Sequence, residues 1–391
     1  MHIFDILKKE KIKYYIVGGT VRDEYLGKQS KDLDILVTGI PAEQLSGMLK
    51  KYGKVDMVGA SFGVIKFTPP GGEEVDIAIP RTEKKSGAGY QGFEVTADHN
   101  LPIEMDLGRR DFTINSIAKD LEGNIIDPFN GLADIRDGLI RVTNPIAFSD
   151  DPLRMLRAIQ FSTRFEFKIE PTTLKLIKDN AHKIKEITME RVLIEFQKIV
   201  DKGNPRYGAI LLVVTGLYKQ IFPSNFNNKA SLRPFNYVKK MSEFIYFLIK
   251  HITPSPSEYY KKVMKGDIKT TAEIKALELL FSKNDRTLLE DKWMVFNINK
   301  IAPSMLESYF VTNALSRVIS DFKRDADVYL PTKGYPISYK QMMVNGTDFE
   351  NVGLKKEEIG KALKIAMDGI YSDEVLNAHK SSLIQYVINK L

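Results

Sequence analysis

A short β-type run that ends in two glycines is the feature that most constrains the fold of this chain. The run YYIV at residues 14–17 is followed at once by Gly18 and Gly19, and residues 20–26 then carry a helical pattern. Residues 32–37 (DLDILV) alternate polar and apolar side chains before they become wholly apolar, as in a strand that enters a core. These patterns predict a mixed α/β unit at the front of the chain.

The rest of the chain divides into two regions of different character. Further strands are predicted at residues 63–67 and 75–79, with a Pro-Pro-Gly-Gly turn between them, and the glycine-rich residues 86–92 predict a mobile loop. After Asn144-Pro145 helical patterns dominate, at residues 174–184, 189–200, 207–217, 357–367 and 373–391. We therefore predict an α/β head of about 140 residues, followed by a long all-helical region.

Composition excludes several classes of protein. Cysteine is absent from the 391 residues, which excludes disulfides and thiolate metal sites. No run of about 18 apolar residues is present and the first residues do not resemble a secretory signal, so we expect a cytoplasmic protein without a membrane segment. Lys+Arg is 57 against Asp+Glu 50, a formal net charge of +7, which suits a polyanionic partner but is also common among soluble proteins.

Asp32 and Asp34 are candidate metal ligands. Residues i and i+2 of a strand share a face, and two adjacent carboxylates repel each other unless a cation lies between them. Oxygen ligands without nearby His or Cys suit Mg²⁺. Asp76, between apolar neighbours on another predicted strand, is a candidate third carboxylate. Solvated aspartates on a surface strand are the alternative explanation.

Gly18, Gly19 and Arg22 are candidate phosphate contacts. Glycines between a strand and a helix let backbone N–H groups approach an anion, and Arg22 could add a charge. An ordinary strand-to-helix turn explains the same pattern. Combined with the two aspartates, however, this segment predicts a site for a triphosphate and its metal ion.

A second segment, RRDFTIN at residues 109–115, offers groups for a sugar and a phosphate. If Asp111 begins a helix, Asn115 lies one turn later on the same face, and the two could bind ribose hydroxyls while Arg110 lies beside a phosphate. The alternative is that Asp111 only caps the helix and the arginines are solvated.

A third segment, DPLRMLR at residues 151–157, could read a base. Asp151, Arg154 and Arg157 share one helical face. A carboxylate can accept from the exocyclic amino group of cytosine or adenine, and an arginine can donate to the adjacent ring nitrogen, whereas guanine and uracil carry N–H there. A surface salt-bridge ladder would show the same spacing.

These motifs resemble, in this order, those of the class II tRNA nucleotidyltransferase and bacterial poly(A) polymerase family of the polymerase β superfamily. The matching stretches cover about residues 14–200: GGTVRDEYLG with KDLDI, RRDFTINSIA, IDPFNGLADIRDGLIR, DDPLRMLRAIQF and MERVLIEF. The family usually has Glu at Asp150, Ala at Ser116 and Arg at Gln160, so this sequence departs from the pattern at those positions.

The resemblance implies a Mg²⁺-dependent enzyme that extends the 3′ end of tRNA. Asp32 and Asp34 would hold the metal, and Gly18, Gly19 and Arg22 would contact the triphosphate. Arg110, Asp111 and Asn115 would recognise ribose and phosphate, and Asp151, Arg154 and Arg157 would form the template for the base. Residues 81–106 would be the flexible loop of the family, residues 127–138 would join head to neck, and Glu190 and Arg191 would brace the neck.

The resemblance also implies the architecture. We expect an α+β fold: a polymerase β-like nucleotidyltransferase head with a mixed sheet, followed by an all-α neck, body and tail. The expected domains are a head at residues 1–142, a neck with the base template at 143–224, a body at 225–330 and a tRNA-binding tail at 331–391. We expect addition of C, C and A from CTP and ATP. Addition of A only, of CC only or of a poly(A) tail is the close alternative, and a non-catalytic RNA-binding protein is the more distant one.

Overall fold

The computed structural model describes residues 2–29, 33–58, 63–85, 93–222, 235, 238–282, 342–371 and 379–391. The chain forms two compact units, residues 1–226 and 227–391. The finer division into head, neck, body and tail stays a prediction. No helix in the described ranges is long and apolar enough to cross a bilayer.

A mixed β-sheet forms the centre of the head. Its strands, with those of a separate hairpin, are β1 (Lys13–Val17), β2 (Asp34–Thr38), β3 (Lys54–Val58), β4 (Val64–Thr68), β5 (Val75–Ala78), β6 (Arg81–Lys85), β7 (Phe93–Ala97), β8 (Ala118–Lys119) and β9 (Ile125–Ile126). The order in the sheet is β3-β4-β5-β2-β1-β8-β9. Strands β2 and β5 are parallel, with Asp34 opposite Asp76, whereas β2 pairs with β1 antiparallel. The expected mixed sheet is thus confirmed.

The alternation of side chains along β2 separates two cores. Ile35 and Val37 pack on one face, with helices α1 (Ile3–Lys9) and α3 (Ala42–Leu49). Leu36 packs on the opposite face, in a smaller cluster with Val17 and Leu107. Because successive strand residues point to opposite faces, Asp34 lies on the same face as Leu36. The carboxylate therefore belongs to the side of the sheet opposite α1 and α3.

The segment expected to be a flexible loop contains regular structure. Strands β6 and β7 form a two-stranded antiparallel sheet, and helix α4 (Ile103–Gly108) follows it. A uniform loop over residues 81–106 is therefore not what the structure shows, whereas the glycine-rich residues 86–92 lie outside the described residues. Alternation of apolar and polar side chains at residues 93–97 (FEVTA) was the overlooked signal for the second strand of this hairpin.

The strand-to-helix turn at the two glycines is confirmed. Strand β1 ends at Val17, Gly18 adopts a left-handed φ of 66°, and helix α2 (Gly19–Tyr25) begins at the next residue. A positive φ strains any residue with a Cβ atom, so glycine is required at this position.

Helices dominate after the sheet, as predicted. In the first unit they are α5 (Gly131–Asp137), α6 (Pro145–Asp150), α7 (Leu153–Phe165), α8 (Pro171–Asn180), α9 (Met189–Lys202), α10 (Pro205–Val214) and α11 (Leu217–Ile221). A short parallel pair, β10 (Leu139–Ile140) and β11 (Lys168–Ile169), links the end of α5 to the end of α7. The helix predicted at residues 174–184 is divided, because a 3₁₀ helix over Ala181–Glu186 follows α8.

The described part of the second unit is entirely helical. It contains α12 (Met241–Ile249), α13 (Pro256–Lys262), α14 (Ile268–Ser282), α15 (Gly346–Asn351), α16 (Lys356–Tyr371) and α17 (Lys380–Lys390). Phe349, Ala366, Met367, Leu383 and Val387 are buried together in a core formed by the last three helices. Helix α17 begins later than the predicted residue 373, and residues 372–378 lie outside the described part.

Candidate active site

A cavity of about 710 Å³ lies within the first unit and gathers the predicted motifs. Groups from all three segments line it, and the strands of the first unit and helix α7 add residues that the sequence did not single out. The lining comprises Val17, Gly19, Arg22, Asp34, Ile35, Val64, Asp76, Ala78, Arg81, Arg109, Arg110, Asp111, Asn115, Asp151, Leu153, Arg154, Arg157, Phe161, Arg164 and Arg191. Motifs that are up to 174 residues apart in the sequence thus meet in one cavity (Val17 to Arg191).

Charge in this lining is strongly positive. Eight arginines and four aspartates are found among the described lining residues. A cleft whose lining carries an excess of positive charge attracts anions, so the cavity favours a polyanionic ligand. A nucleoside triphosphate meets that requirement. The four carboxylates can bind a metal ion or accept hydrogen bonds from hydroxyl groups.

Gly19 and Arg22 lie on the cavity wall, whereas Gly18 is buried behind it. A Cβ atom on Gly18 would clash with the Arg110 guanidinium, so this glycine gives space to an arginine of the second segment. Arg22 donates to Asp23 Oδ1 from Nε (2.8 Å) and Nη2 (2.7 Å), and to Asn115 Oδ1 from Nη1. Burial lowers the pKa of Arg22, and Asp23 partly offsets that effect.

Asp34 and Asp76 face the same cavity from adjacent parallel strands. They are register partners, and the Asp34 N–H donates to Thr20 Oγ1 at 3.3 Å. Asp76 is exposed and pairs with Lys66 Nζ at 3.0 Å, and the same ammonium contacts Glu74 at 2.5 Å. Asp76 therefore lines the cavity while it is also exposed to solvent, and its role as a third carboxylate stays a prediction.

The donor set around Asp34 suits a hard divalent cation. Carboxylate oxygens are the ligands available here, and Mg²⁺ prefers such ligands. Within the described ranges no group of three or more acidic, His or Cys side chains is arranged to hold an ion. Asp32, the other carboxylate of the predicted metal pair, lies outside those ranges.

Asp111 and Asn115 are brought together, but not by the α-helix that we expected. A 3₁₀ helix over Thr113–Asn115 follows Asp111, and Asn115 Nδ2 donates to Asp111 Oδ1 at 2.9 Å. The Asp111 carboxylate also accepts from the Phe112 N–H at 2.9 Å. Burial raises the pKa of Asp111, but the charge of Arg157 and the bond from Asn115 outweigh it and hold the pKa below its usual value.

Asp151 and Arg154 lie at the start of α7. Asp151 precedes the helix and accepts from the Leu153 N–H at 3.2 Å, and its carboxylate is 4.0 Å from Arg154 Nε. The terminal nitrogens of Arg154 donate to the carbonyls of Arg109 (2.7 Å) and Arg110 (3.4 Å). The candidate base reader is therefore anchored to the segment that carries the candidate ribose reader.

Arg157 points away from Asp151. Its Nε and Nη2 both lie 2.7 Å from Asp111 Oδ2, and its guanidinium carbon lies 5.1 Å from the centre of the Phe161 ring. The resemblance implied that Arg157 would form the template for the base together with Asp151 and Arg154, and that role stays a prediction. In the structure its guanidinium pairs with Asp111 of the second segment.

Sequence reasoning missed the buried acids that orient the arginines. Asp106 is fully buried and accepts from Arg109 at 2.9 and 2.7 Å and from Arg110 at 3.2 Å. Burial raises the pKa of Asp106, but the charges of the two arginines lower it further. Asp23 plays the same part for Arg22 and, at 3.6 Å, for Arg164. The signal for these ion pairs was present in the sequence, because Arg109 and Arg110 follow Asp106 by three and four residues.

The cavity also receives Arg191 from α9. Its Nη2 lies 4.0 Å from Asp151 Oδ1. The resemblance assigned a bracing role to Arg191, and this contact links α9 to the candidate base reader.

Comparison with known proteins agrees with the motifs. Residues 14–141 match the family described as the poly A polymerase head domain, and residues 166–226 match the probable RNA and SrmB-binding site of polymerase A. The multifunctional CCA protein of Nitrosococcus oceani is 40% identical over 215 residues, which cover 54% of this chain and 50% of that protein. The chain thus spans about half the length of the curated relatives it matches.

Solved structures share the fold. The CCA-adding enzyme of Bacillus stearothermophilus in complex with CTP aligns with a TM-score of 0.72 and 24% identity, covering 99% of this chain and 95% of that chain. The Thermotoga maritima CCA-adding enzyme complexed with tRNA_CCA aligns with a TM-score of 0.65 and 22% identity, covering 98% and 93%. At these identities the likeness establishes the fold, and the polymerase-type head is confirmed. The motifs, the two matched domains and the fold agree in their likeness to the class II tRNA nucleotidyltransferase and bacterial poly(A) polymerase family.

Proposed function

We propose that the protein is a tRNA nucleotidyltransferase that adds C, C and A to the 3′ end of tRNA from CTP and ATP without a nucleic-acid template. One observation carries the proposal: a single cavity holds Gly19, Arg22 and Asp34 together with Asp111, Asp151 and Arg154. Groups suited to a triphosphate, a sugar and a base therefore surround one volume. The solved relatives crystallised with CTP and with tRNA_CCA support the assignment of substrates.

The reaction is an in-line attack by the RNA 3′-hydroxyl on the α-phosphate of the bound nucleotide, with pyrophosphate as the leaving group. Nucleotidyltransferases of this family generally use a divalent metal ion, and we propose Mg²⁺ held by Asp32 and Asp34. When bound, the ion would favour ionisation of the attacking hydroxyl and neutralise charge on the phosphates.

The side chains of the chain itself position the nucleotide. Arg22 and Arg110 are placed to neutralise the triphosphate, and Asp111 with Asn115 to bind the ribose. Positioning of this kind converts a reaction between two molecules into one within a complex, which accounts for much of the acceleration by transferases. Asp76 is a candidate third carboxylate, whose ion pair with Lys66 would have to open first.

Base selection is proposed to rest on Asp151 and Arg154. The carboxylate accepts from the exocyclic amino group of cytosine or adenine, and the guanidinium donates to the ring nitrogen. Arg154 has N–H groups to spare for this task, because its two contacts with the carbonyls of Arg109 and Arg110 use two of its five donors.

The decisive experiment is incubation of the full chain with a tRNA that lacks its 3′ CCA, Mg²⁺ and each labelled nucleotide. We expect incorporation of two C residues followed by one A. Incorporation of A alone, of C alone or of a long A tail would replace CCA addition by a narrower activity of the same family. No incorporation would reject the enzymatic assignment. Since its substrates are tRNA and nucleotides, we propose that the protein acts in the cytoplasm.

A further inference from the structure

Arg157 contacts a different group from the one that its position in the sequence suggests. The resemblance implies that it forms the template for the base together with Asp151 and Arg154. In the structure two of its nitrogens, Nε and Nη2, converge on Oδ2 of Asp111 at 2.7 Å each. The ion pairs of Asp151 among the described residues are with Arg154 and Arg191.

The Asp111 carboxylate is held from both sides. Oδ1 accepts from Asn115 Nδ2 and from the Phe112 N–H, both at 2.9 Å and both within its own segment. Among the described residues Oδ2 accepts from Arg157, which lies on helix α7. A buried carboxylate stays ionised only when such partners offset the loss of solvation. Arg157 therefore controls both the charge of Asp111 and the direction in which Oδ2 points.

Because two nitrogens of Arg157 converge on Oδ2 of Asp111, a ligand can replace one of these contacts. A hydroxyl group that donates to Oδ2 can replace one Arg157 bond while the other keeps the carboxylate aimed at the cavity. The ring of Phe161, 5.1 Å from the Arg157 guanidinium carbon, supports the guanidinium in this orientation. A sugar that lacks this hydroxyl cannot form the hydrogen bond to Oδ2.

We propose that Arg157 is a positioning residue for the sugar, which makes the cavity select ribonucleotides over 2′-deoxyribonucleotides by fixing the Asp111 carboxylate. This inference rests on the proposed function, because it requires a nucleoside triphosphate with its ribose at Asp111 and Asn115. It also separates two tasks on one helix: Arg154 serves the base, and Arg157 serves the sugar.

The test is equilibrium binding of CTP, 2′-deoxyCTP and UTP to the full chain with Mg²⁺, measured by calorimetry. The unaltered protein should bind CTP roughly tenfold or more tighter than 2′-deoxyCTP, the size of a hydrogen bond to a charged group. Arg157→Gln should bring that ratio close to one, mainly by weakening CTP, and should leave the ratio of CTP to UTP unchanged. Arg157→Lys, which keeps the charge but loses the fork, should give an intermediate sugar ratio.

Arg164→Gln is the matched control, because Arg164 lies on the same helix and lines the same cavity but pairs with Asp23. It should keep the sugar ratio of the unaltered protein. Asp111→Asn should lower the ratio as Arg157→Gln does, and the double variant should lower it no further.

Several outcomes would overturn the inference. They are an unchanged sugar ratio in Arg157→Gln, an unaltered protein that binds both sugars equally, or a larger loss of base choice than of sugar choice. If Arg157→Gln does not fold, an unchanged ratio in a folded Arg157→Lys has the same force. Failure of the unaltered protein to bind any nucleotide would instead reject the proposed function.

Discussion

At the scale of single residues, buried aspartates orient the arginines of the cavity. Asp23 holds Arg22 and Arg164, and Asp106 holds Arg109 and Arg110. Each acid is almost completely buried, and its ion pairs offset the loss of solvation. Positive charge that faces the ligand is therefore fixed in place before the ligand arrives, and little reorganisation is needed on binding.

Asp34→Ala should abolish nucleotide incorporation, by at least about a hundredfold, because it removes a proposed ligand of the metal ion. RNA binding without nucleotide should change little, since Asp34 lies on the sheet of the head. Incorporation by the purified variant is the measurement. Asp56→Ala, which removes an exposed carboxylate paired with Lys54, is the control and should be near normal. Near-normal activity of Asp34→Ala would contradict the metal assignment.

Asp106 should make stability depend on acid pH. Its pKa in the folded protein is below the ordinary value, because Arg109 and Arg110 outweigh the effect of burial. The stabilisation is therefore complete above the unfolded pKa of about 4 and is lost as the pH falls towards the folded pKa. Thermal unfolding between neutral pH and about pH 3 measures it.

In that experiment Asp106→Asn should be less stable at neutral pH by about 2–3 kcal/mol, because both arginines lose their charged partner. The loss is no larger because both guanidinium groups reach water. Its stability should also fall less steeply below about pH 4. An equal pH dependence in the variant and the unaltered protein would show that Asp106 does not titrate in this way.

At the scale of elements, helix α7 connects the three chemical tasks. Its first turn carries Arg154, its second carries Arg157, and Phe161 and Phe165 stack below them with ring centres 5.8 Å apart. The Arg22 guanidinium carbon lies 4.6 Å from the centre of the Phe165 ring, so α7 also braces the arginine proposed to contact phosphate. A displacement of this helix would disturb base, sugar and phosphate together.

One departure from the family pattern, Ser116, is accommodated locally. Ser116, where the family usually has Ala, is fully buried and bonds to Thr143 Oγ1 (2.8 Å) and to the Phe112 carbonyl (3.1 Å). It thus strengthens the turn that aims Asp111. Gln160, in place of Arg, is buried within α7, and nothing in the structure explains this choice.

Arg154→Ala should relax the choice of base more than it weakens triphosphate binding. The expected change is a fall of about 10- to 100-fold in the preference for CTP over UTP, because an oriented donor to the ring nitrogen is lost. The kcat/KM values for each nucleotide, measured with a primed tRNA, give the preference. Arg136→Ala, on the exposed part of α5, should leave it intact. The same preference for C and A in Arg154→Ala would remove the template proposal.

At the scale of the whole molecule, the cavity belongs to the first unit and a helical second unit follows it. Residues 17–191 supply the described lining of the cavity. In the second unit Lys261 and Lys265 are exposed, whereas the ammonium of Lys262, also exposed, pairs with Glu258 at 2.9 Å. We propose that lysines of this unit, including the exposed Lys239 and the half-buried Lys240, contact tRNA phosphates.

The double variant Lys261→Gln/Lys265→Gln should bind tRNA more weakly and with a smaller dependence on salt. Each lost phosphate contact should reduce the slope of log K against log salt by about 0.9. Lys262→Gln is the matched control and should change the slope less, because its charge is already partly neutralised by Glu258. Filter binding between about 50 and 200 mM salt provides the slopes. Identical slopes in all variants would place the contact elsewhere.

The sequence by itself determined the local structure and the chemical inventory. The β-type run before Gly18 and the left-handed φ that follows it depend only on neighbouring residues, so the turn was predictable. Alternation along β2 and β5 identified Asp34 and Asp76 in the same way. These features depend on residues that are close together in the sequence, so they can be predicted without knowing any contact with a distant segment.

Only the tertiary structure decided which groups meet. The parallel pairing of β2 with β5 set Asp34 beside Asp76, and the docking of α7 turned Arg157 towards Asp111, 46 residues away, rather than towards the base reader. Asp106 gained its importance in the same way, since burial made its charge depend on two arginines. The physical reason is that contacts between distant segments are determined by packing and by the need to pair every buried charge. Neither requirement produces a repeating pattern of residues that could be recognised in the sequence.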